Sequence, residues 1–314
     1  MRLNDAARGA AQTCVRAAAA SPAGRRMLNA VHLRLDARRR WHFWRLFSRI
    51  FDERTVRAPE GRWTIGFADR RIRLPLGASS FRLDWIHATS INGHDIEVKD
   101  TYESMLRSRT HRPELFIDIG ANYGTHSLLF LANGVDTLTF EPNRACHGWF
   151  HQACALNGCI PALEPVALGD TEGSIELCYP EQETWLGTVR AEVADRQRRS
   201  HPAMRVDAVP LRRLDAYLPA MRGRRTLVKI DTEGHELAVL QGALGVLRAV
   251  QPHVIFESLP DDDRAAMYGL LDAEGYALHS LPWQPGTAAR PLDGSAFAHS
   301  GGTNFIAVAR AASG

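Results

Sequence analysis

Several features of common protein classes are missing from this sequence. No stretch of its 314 residues reaches the roughly 18 to 20 uninterrupted apolar residues that a membrane-spanning helix requires, so we expect no membrane span. The five cysteines include no C-x-x-C pair, which fits reduced thiols in the cytoplasm better than a disulfide framework. The sequence G-x-x-x-x-G-K-[ST] is also absent, which argues against a nucleoside triphosphatase with that phosphate anchor.

Charge is unevenly distributed along the chain, although the formal net charge is only +3. Residues 1–73 contain 17 Lys and Arg against 6 Asp and Glu, and the remaining 241 residues contain 21 against 29. The chain therefore joins a basic arm to an acidic body. Because an acidic body repels phosphates, we expect no nucleic-acid partner. We predict a boundary near residue 75, with a basic helical arm and a short hairpin in residues 1–75 and the main domain in residues 76–314.

The basic arm contains a stretch, residues 28–57, that predicts an amphipathic helix, because aromatic residues recur every three or four positions with arginines between them. These aromatic residues are Trp41, Trp44, Phe47 and Phe51. Two interpretations stay open. The helix attaches peripherally to an anionic membrane surface, or its aromatic stripe packs on the main domain or on a second copy of the chain in a homodimer. Residues 63–67 and 71–76 predict a hairpin after it.

A strand, a glycine-rich turn and a helix are predicted after Pro113. Residues 115–119 form a continuous apolar run with one acid, which is typical of a strand buried on both faces of a parallel sheet. Gly120 and Gly124 follow, and glycine lets the backbone bend sharply and approach a ligand where a Cβ would collide. Residues 125–132 then predict a helix.

A second strand, residues 137–140, ends at Glu141, where an acid is placed to accept the hydroxyl hydrogens of a ribose. The turn before it differs from the dinucleotide sequence G-x-G-x-x-G, because Asn122 occupies the second glycine position and Asp118 stands two residues before Gly120. A carboxylate there would repel a pyrophosphate, but it suits a cofactor with an ammonium and a sulfonium group. The turn therefore favours S-adenosylmethionine over NAD.

Six motifs, in their order and spacing, resemble the FkbM family of class I methyltransferases. They are D-I-G-A-N-Y-G at 118–124, F-E-P-N at 140–143, A-L-G-D at 167–170, L-D at 214–215, K-I-D-T-E-G-H-E at 229–236 and I-F-E at 255–257. The resemblance runs from about residue 95 to about residue 304 and leaves the basic arm outside. It implies an α/β fold with a doubly wound, Rossmann-like sheet of seven strands, of which the last is antiparallel.

The resemblance also implies an activity, the transfer of a methyl group from S-adenosylmethionine to a hydroxyl of a glycan, a glycolipid or a secondary metabolite. Two alternatives stay open: methylation of side-chain amides in a peptide, and a binding module that keeps the fold without catalysis. Toward the cofactor, Gly120 and Gly124 would admit the methionine part, Asn122 would hydrogen-bond its carboxylate or amine, and Asp118 would orient that network. Glu141 would hold the ribose.

Asp170 is a candidate for the adenine amine, because it follows a third strand predicted at residues 162–168. An acid in a Gly-Asp turn is about as often only a turn residue.

The apolar run 227–230 ends at Asp231, and a long helix-like stretch through Val250 follows. In open α/β sheets, ligands bind at the carboxyl ends of the strands. We predict that Asp231 acts as a base or orients the acceptor, because a hydroxyl must lose its proton as it accepts a methyl group. Glu233 or His235 is expected to assist, and Lys229 to pair with Asp231.

Two further residues are candidates for binding the acceptor, namely Glu257, at the end of the fifth strand, and Trp185, in a polar insertion over residues 179–202. Asp231 and Glu233 would also suit Mg²⁺, since oxygen ligands suit a hard cation, but two ligands do not favour it.

Overall fold

The computed structural model describes residues 13–15, 17–50, 61–76, 88–181, 183–201, 203–287 and 289–310. The chain divides into two compact units. One, here called the arm unit, contains Met1–Ile96 and Gln152–Cys159, and the other, the sheet unit, contains Glu97–His151 and Ile160–Gly314. The boundary proposed near residue 75 stays a prediction.

The arm unit contains two helices and a hairpin. Helix α1 spans Pro22–His32 and α2 spans Ala37–Ile50, and strand β1, Gly61–Phe67, pairs antiparallel with β2, Arg70–Leu76. The predicted hairpin is therefore confirmed, with slightly longer strands. The Asn29 side chain accepts a hydrogen bond from the Thr64 N–H at 2.9 Å and donates one to the Thr64 carbonyl at 2.6 Å. It thereby satisfies backbone groups of β1 that β2 leaves unpaired.

The prediction of a single helix over residues 28–57 is wrong, because the chain breaks between α1 and α2. The Asp36 side chain accepts a hydrogen bond from the Arg39 N–H at 2.8 Å, which is the N-cap contact that begins a helix. Trp44 packs against Gly93 and His94, within the arm unit. Phe51 and the side chain of Phe47 lie outside the described residues.

The sheet unit is built on seven strands in the order β11-β12-β10-β9-β3-β4-β5. Their bounds are β3 Leu115–Ile119, β4 Asp136–Phe140, β5 Leu163–Glu164, β9 Thr226–Ile230, β10 His253–Glu257, β11 Tyr276–Ser280 and β12 Asn304–Ala309. Neighbours are parallel from β10 to β5, and β12 is antiparallel to β10 and β11. This confirms the predicted α/β fold with an antiparallel last strand.

Helices connect these strands. They are α3 Ile96–Arg107, α4 Thr125–Ala132, α5 Arg144–Asn157, α6 Ala191–Arg198, α7 Leu218–Met221, α8 Glu236–Gln241, α9 Leu244–Ala249, α10 Arg264–Ala273 and α11 Gly294–Ala298. Within the described ranges, no helix has both the length and the apolar composition needed to cross a membrane. The five residues of β3 and of β9 are all buried, Asp118 and Lys229 included, which places two charged groups inside the sheet.

A second sheet of three strands contains β6 Ala167–Leu168, β7 Gly173–Pro180 and β8 Met204–Arg212, in the order β6-β8-β7. The third strand predicted at residues 162–168 is therefore wrong, since it is two short strands in two sheets. Pro165 stands between them and has no N–H to donate to a ladder, so a continuous strand is disfavoured there.

The long helix predicted through Val250 is also wrong, because α8 and α9 are separate. Gly242 lies between them, and a Cβ on this residue would be 1.8 Å from the carbonyl oxygen of Gly169. The chain therefore approaches the second sheet too closely at Gly242 for a side chain. The polar insertion joins β7 to β8 and contains a 3₁₀ turn, Thr184–Leu186, and helix α6.

Candidate functional site

Four neighbouring parallel strands bring the predicted site residues to one edge of the sheet. Strands β10, β9, β3 and β4 lie side by side with Phe256, Ile230, Ile119 and Phe140 near their carboxyl ends. The next residues along each strand are Glu257, Asp231, Gly120 and Glu141. Ligands of open α/β sheets bind at this edge.

The turn after β3 has a left-handed backbone at three alternate residues, with φ of 75° at Gly120, 49° at Asn122 and 64° at Gly124. The sharp bend predicted there is present. The neighbours that exclude a Cβ are protein groups, since a Cβ on Gly120 would lie 1.8 Å from the carbonyl oxygen of Asp231 and one on Gly124 would lie 2.3 Å from the Phe150 ring. Because position 120 is a glycine, the turn can contact the backbone of Asp231, the residue predicted to act as the base.

Asp118 is buried beneath this turn. Its Oδ2 accepts hydrogen bonds from the N–H and the hydroxyl of Ser127 at 3.0 and 2.7 Å, which ties the end of β3 to the first turn of α4. Its Oδ1 is buried and has no hydrogen-bond partner in the described part of the chain. Burial raises the pKa of Asp118, and Lys229, its neighbour across the sheet, opposes that effect.

Glu141 holds the turn from the other side. Its two carboxylate oxygens accept hydrogen bonds from the N–H groups of Asn122 and Asn143, both at 2.6 Å. Each carboxylate oxygen can accept a second hydrogen bond, so a diol could still bind there. Burial raises the pKa of Glu141 to about 7, against the lowering effect of the two N–H groups.

The Asn122 side chain is oriented by two residues that sequence reasoning missed. Its Oδ1 accepts hydrogen bonds from the Cys146 thiol at 2.9 Å and from the Thr184 hydroxyl at 3.2 Å. The amide NH₂ of Asn122 is thus left as a donor. An NH₂ donor suits the carboxylate of the cofactor better than its ammonium group. Of the two partners predicted for Asn122, the carboxylate therefore fits better.

Asp231, Glu233 and Glu257 form a cluster in which one carboxylate oxygen of each lies within 4.8 Å of the others. The Lys229 ammonium donates to Asp231 Oδ2 at 2.6 Å, and its side chain is only 4% exposed. This is the predicted pairing of Lys229 with Asp231. Asp231 Oδ1 has no hydrogen-bond partner among the described residues.

Two acids of this cluster have raised pKa values. Burial, followed by the charge of Asp231, raises the pKa of Glu233 to about 8 and that of Glu257 to about 9. These shifts favour the protonated forms of Glu233 and Glu257 at pH 7, beside the Lys229–Asp231 pair. Mg²⁺ stays a prediction that nothing tests, since the three carboxylate oxygens lie close enough to contact one ion while Asp231 is already paired with Lys229.

The loop that carries Asp231 has a strained backbone. Glu233 has a φ of 53° and Gly234 a φ of 100°, and a left-handed conformation costs a residue other than glycine about 1–2 kcal/mol. Glu236 holds the loop in place, since its Oε1 accepts hydrogen bonds from the N–H and hydroxyl of Thr232 at 2.7 and 2.9 Å and from the Gly234 N–H at 3.3 Å. Strain maintained by surrounding contacts is typical of functional sites.

The insertion between β7 and β8 packs on this loop. The Thr188 hydroxyl donates to the Glu233 carbonyl at 3.0 Å, and the Arg190 guanidinium donates to the Gly234 carbonyl at 3.2 Å. Arg190 also lies 3.8 Å from a carboxylate oxygen of Asp262. The sequence shows that the insertion is polar. It does not identify Thr188 or Arg190 as contacts of the acidic loop, that is, the loop that carries Asp231 and Glu233.

Three predicted residues lie apart from the cluster. His235 faces Gly169, where a Cβ would be 2.9 Å from its Nε2, and burial lowers its pKa. Its predicted assistance to Asp231 has no contact to support it. Asp170 is exposed and lies between β6 and β7 of the second sheet. Trp185 is half-buried in the 3₁₀ turn. Its neighbour Thr184 donates a hydrogen bond to Asn122, so the start of the insertion contacts the glycine-rich turn.

A pH dependence of stability follows from the raised pKa of Glu257. The folded state binds the Glu257 proton more tightly than the unfolded chain does. The stability that this proton contributes is complete below the ordinary pKa of about 4.3 and is lost as the pH rises through the folded pKa of about 9. We therefore expect the melting temperature of the wild type to fall between about pH 5 and about pH 9, and Glu257→Gln to raise it by at least about 3 °C at the upper limit. Thermal unfolding across this pH range, with the exposed Glu176→Gln as control, measures the effect. Parallel curves for wild type and Glu257→Gln would contradict it.

A family model identifies the class of this chain. Residues 118–278 match the family model described as the methyltransferase FkbM domain. No significant match was found among the curated proteins. Methyltransferase FkbM from Methylobacillus flagellatus KT is 12% identical over 71% of this chain and 54% of its own length, with a TM-score of 0.35. A SAM dependent methyltransferase from Agrobacterium tumefaciens is 12% identical over 78% of this chain and 69% of its own, with a TM-score of 0.39.

Proposed function

Because the chain belongs to the FkbM methyltransferase family, whose model matches just over half of it, we propose that it transfers a methyl group from S-adenosylmethionine to a hydroxyl of a glycan, a glycolipid or a secondary metabolite. The observation that carries this proposal is the arrangement of the acidic cluster. Asp231 lies at the ligand-binding edge of the sheet, the Lys229 ammonium holds its Oδ2 at 2.6 Å, and its Oδ1 accepts no hydrogen bond from the described residues.

Asp231 is proposed as the general base. The proton of the acceptor hydroxyl would pass to Asp231 Oδ1 as the hydroxyl oxygen gains the methyl group. Lys229 would keep the carboxylate in place through the contact at Oδ2, and positioning of this kind removes much of the entropic barrier of a two-substrate reaction.

The neutral acids beside Asp231 support a hydroxylated acceptor. A protonated carboxylic acid donates one hydrogen bond and still accepts others, whereas a carboxylate only accepts. Glu233 and Glu257 together with Asp231 thus present donors and acceptors over a short distance. Hydroxyl groups also donate and accept, so neighbouring hydroxyls of a sugar match this arrangement. A side-chain amide of a peptide is the competing acceptor.

The residues of the glycine turn fit S-adenosylmethionine. The cofactor, when bound, supplies an electrophilic methyl group on a sulfonium. Glu141 would accept the ribose hydroxyl hydrogens, the Asn122 amide would donate to the cofactor carboxylate, and the unpartnered Oδ1 of Asp118 would accept from its ammonium group. A buried acceptor without a partner costs about 1–3 kcal/mol, which favours a ligand that supplies the missing donor.

Calorimetry with purified protein and S-adenosylmethionine tests the cofactor, and formation of S-adenosylhomocysteine tests the reaction. We expect binding, and product formation with a member of a panel of oligosaccharides and glycolipids. Product formation only with amide-containing peptides would replace the acceptor class. The absence of any binding would overturn the proposal.

Glu141→Gln is expected to weaken S-adenosylmethionine binding by about tenfold or more, because the amide replaces one acceptor oxygen with an NH₂ group and hydrogen bonds to charged groups contribute about 1.5–3 kcal/mol. The exposed Glu114→Gln, at the amino end of β3, is the control. Calorimetry with both variants measures the change. Equal affinities for wild type and Glu141→Gln would contradict the ribose role.

A further inference from the structure

The arm unit has a strongly basic surface. Its described residues include twelve arginines and only three acids, Asp36, Asp69 and Asp95. Nine of the arginines are exposed: Arg26, Arg34, Arg38, Arg39, Arg45, Arg62, Arg70, Arg71 and Arg73. An excess of nine positive charges among these described residues attracts an anionic partner.

Two aromatic side chains of the arm unit, Phe43 and Trp44, do not belong to that surface. Phe43 contacts the rings of His32 and Trp63, with centroids 5.0 and 6.0 Å apart. Trp44 packs against Gly93 and His94, and its indole nitrogen is buried. The sequence suggested that aromatic residues enter a membrane, but Phe43 and Trp44 pack within the unit. Trp41 is half-buried and lies under the Arg45 guanidinium.

Three aliphatic side chains are also exposed on the two helices of the arm unit. Met27 and Val31, one turn apart on α1, are 59% and 47% exposed, and Leu46 on α2 is 39% exposed. Arg26 precedes Met27, and Arg34 follows Val31. Basic residues beside exposed aliphatic ones are typical of helices that lie on an anionic bilayer, with the aliphatic groups in the headgroup layer.

We propose that the arm unit binds the surface of an anionic lipid bilayer. The arginines supply the attraction to the headgroups, and Met27, Val31 and Leu46 enter the headgroup layer. Nucleic acid fits less well, because proteins that bind single strands stack bases on exposed aromatic rings, whereas Phe43 and Trp44 are packed within the unit. A phosphate backbone also offers no apolar environment that could cover the three exposed aliphatic side chains. This inference is independent of the proposed function.

Vesicle sedimentation with the full chain tests the proposal. We expect partition onto phosphatidylcholine vesicles that contain about 30% phosphatidylserine, none onto pure phosphatidylcholine, and release at about 0.5 M NaCl, where charges are screened beyond about 4 Å. Each arginine near such a surface contributes about fivefold to binding. The triple variant Arg26→Gln, Arg34→Gln, Arg38→Gln is therefore expected to bind about 100-fold more weakly.

The matched control removes the same charge from the sheet unit, through Arg199→Gln, Arg222→Gln and Arg290→Gln, which are all exposed. We expect the control to bind like the wild type, and Met27→Ser with Val31→Ser to bind about tenfold more weakly. Equal binding of wild type to neutral and anionic vesicles, or equal loss in triple variant and control, would overturn the proposal. So would a single-stranded oligonucleotide that binds the wild type while anionic vesicles do not.

Thermal unfolding of each variant separates lost binding from lost structure. If the triple variant does not fold, the salt dependence and the lipid dependence of the wild type still decide the outcome.

Discussion

Asp231→Asn is expected to lower kcat/KM about a thousandfold while S-adenosylmethionine binds within about twofold of the wild type, because a positioned general base contributes about 10²- to 10⁴-fold. Asparagine keeps the size of the side chain, and its carbonyl oxygen can still accept the Lys229 hydrogen bond seen at 2.6 Å. It cannot take the proton of an acceptor hydroxyl. The loss is therefore expected in the chemical step.

Single-turnover rates with the acceptor identified by the panel measure this effect, and calorimetry with S-adenosylmethionine confirms that the site remains formed. The exposed Asp261→Asn serves as control for the loss of one acid. Removal of the carboxylate also weakens the electrostatic stabilisation of the buried Lys229 charge, so a loss of stability is expected as well. Turnover at the wild-type rate in Asp231→Asn would remove Asp231 as the base and leave it at most an orienting role.

Glu257→Gln gives a different signature from Asp231→Asn. Glu257 is neutral at pH 7 because burial raises its pKa, so it is expected to orient the acceptor and not to remove its proton. An amide donates and accepts as the neutral acid does. The variant should therefore retain most of the rate at pH 7. An equal loss of rate in the two variants would show that the cluster does not divide its roles in this way.

The local parts of the fold follow from local sequence. The buried strand 115–119, the glycine turn and the helix at residues 125–132 occur where periodicity and glycine placed them. Asp231 is found at the carboxyl end of its strand for the same reason, since an apolar run that ends in an acid is a signal contained within a few residues.

The missed features depend on contacts between distant residues. The split third strand reflects pairing of Ala167 with Leu211, and the break between α8 and α9 reflects the approach of Gly242 to Gly169. The partners in these contacts have no local signature, although Pro165 is a local signal against a continuous third strand. Arg190 reaches Gly234 across 44 positions of the chain, so its place could only come from the tertiary fold.

The same distinction applies within the acidic cluster. Asp231 and Glu233 are near in sequence, but Glu257 joins them from the neighbouring strand. The sequence placed Glu257 at the same edge of the sheet. It could not show that Asp231 lies close enough to Glu233 and Glu257 to raise their pKa values, because that depends on side-chain orientation and on burial.

Gly120→Ala is expected to have the largest effect on stability of any variant proposed, because two separate costs add at this position. The φ of 75° is a left-handed conformation, which costs an alanine about 1–2 kcal/mol. In addition, the Cβ would lie 1.8 Å from the carbonyl oxygen of Asp231, so the turn and the acidic loop must separate. We expect a loss of more than about 4 kcal/mol in the free energy of unfolding.

Gly134→Ala is the matched control, since Gly134 has a φ of 74° and a Cβ there would have no neighbour within 4 Å. It isolates the conformational cost, so its expected loss is only about 1–2 kcal/mol. Urea unfolding of the two variants measures the difference. If Gly120→Ala is too unstable to purify while Gly134→Ala is not, the comparison still supports the clash, whereas equal losses would show that the backbone conformation alone matters. Any folded Gly120→Ala is expected to lose methyl transfer, because the new Cβ displaces Asp231, the proposed base.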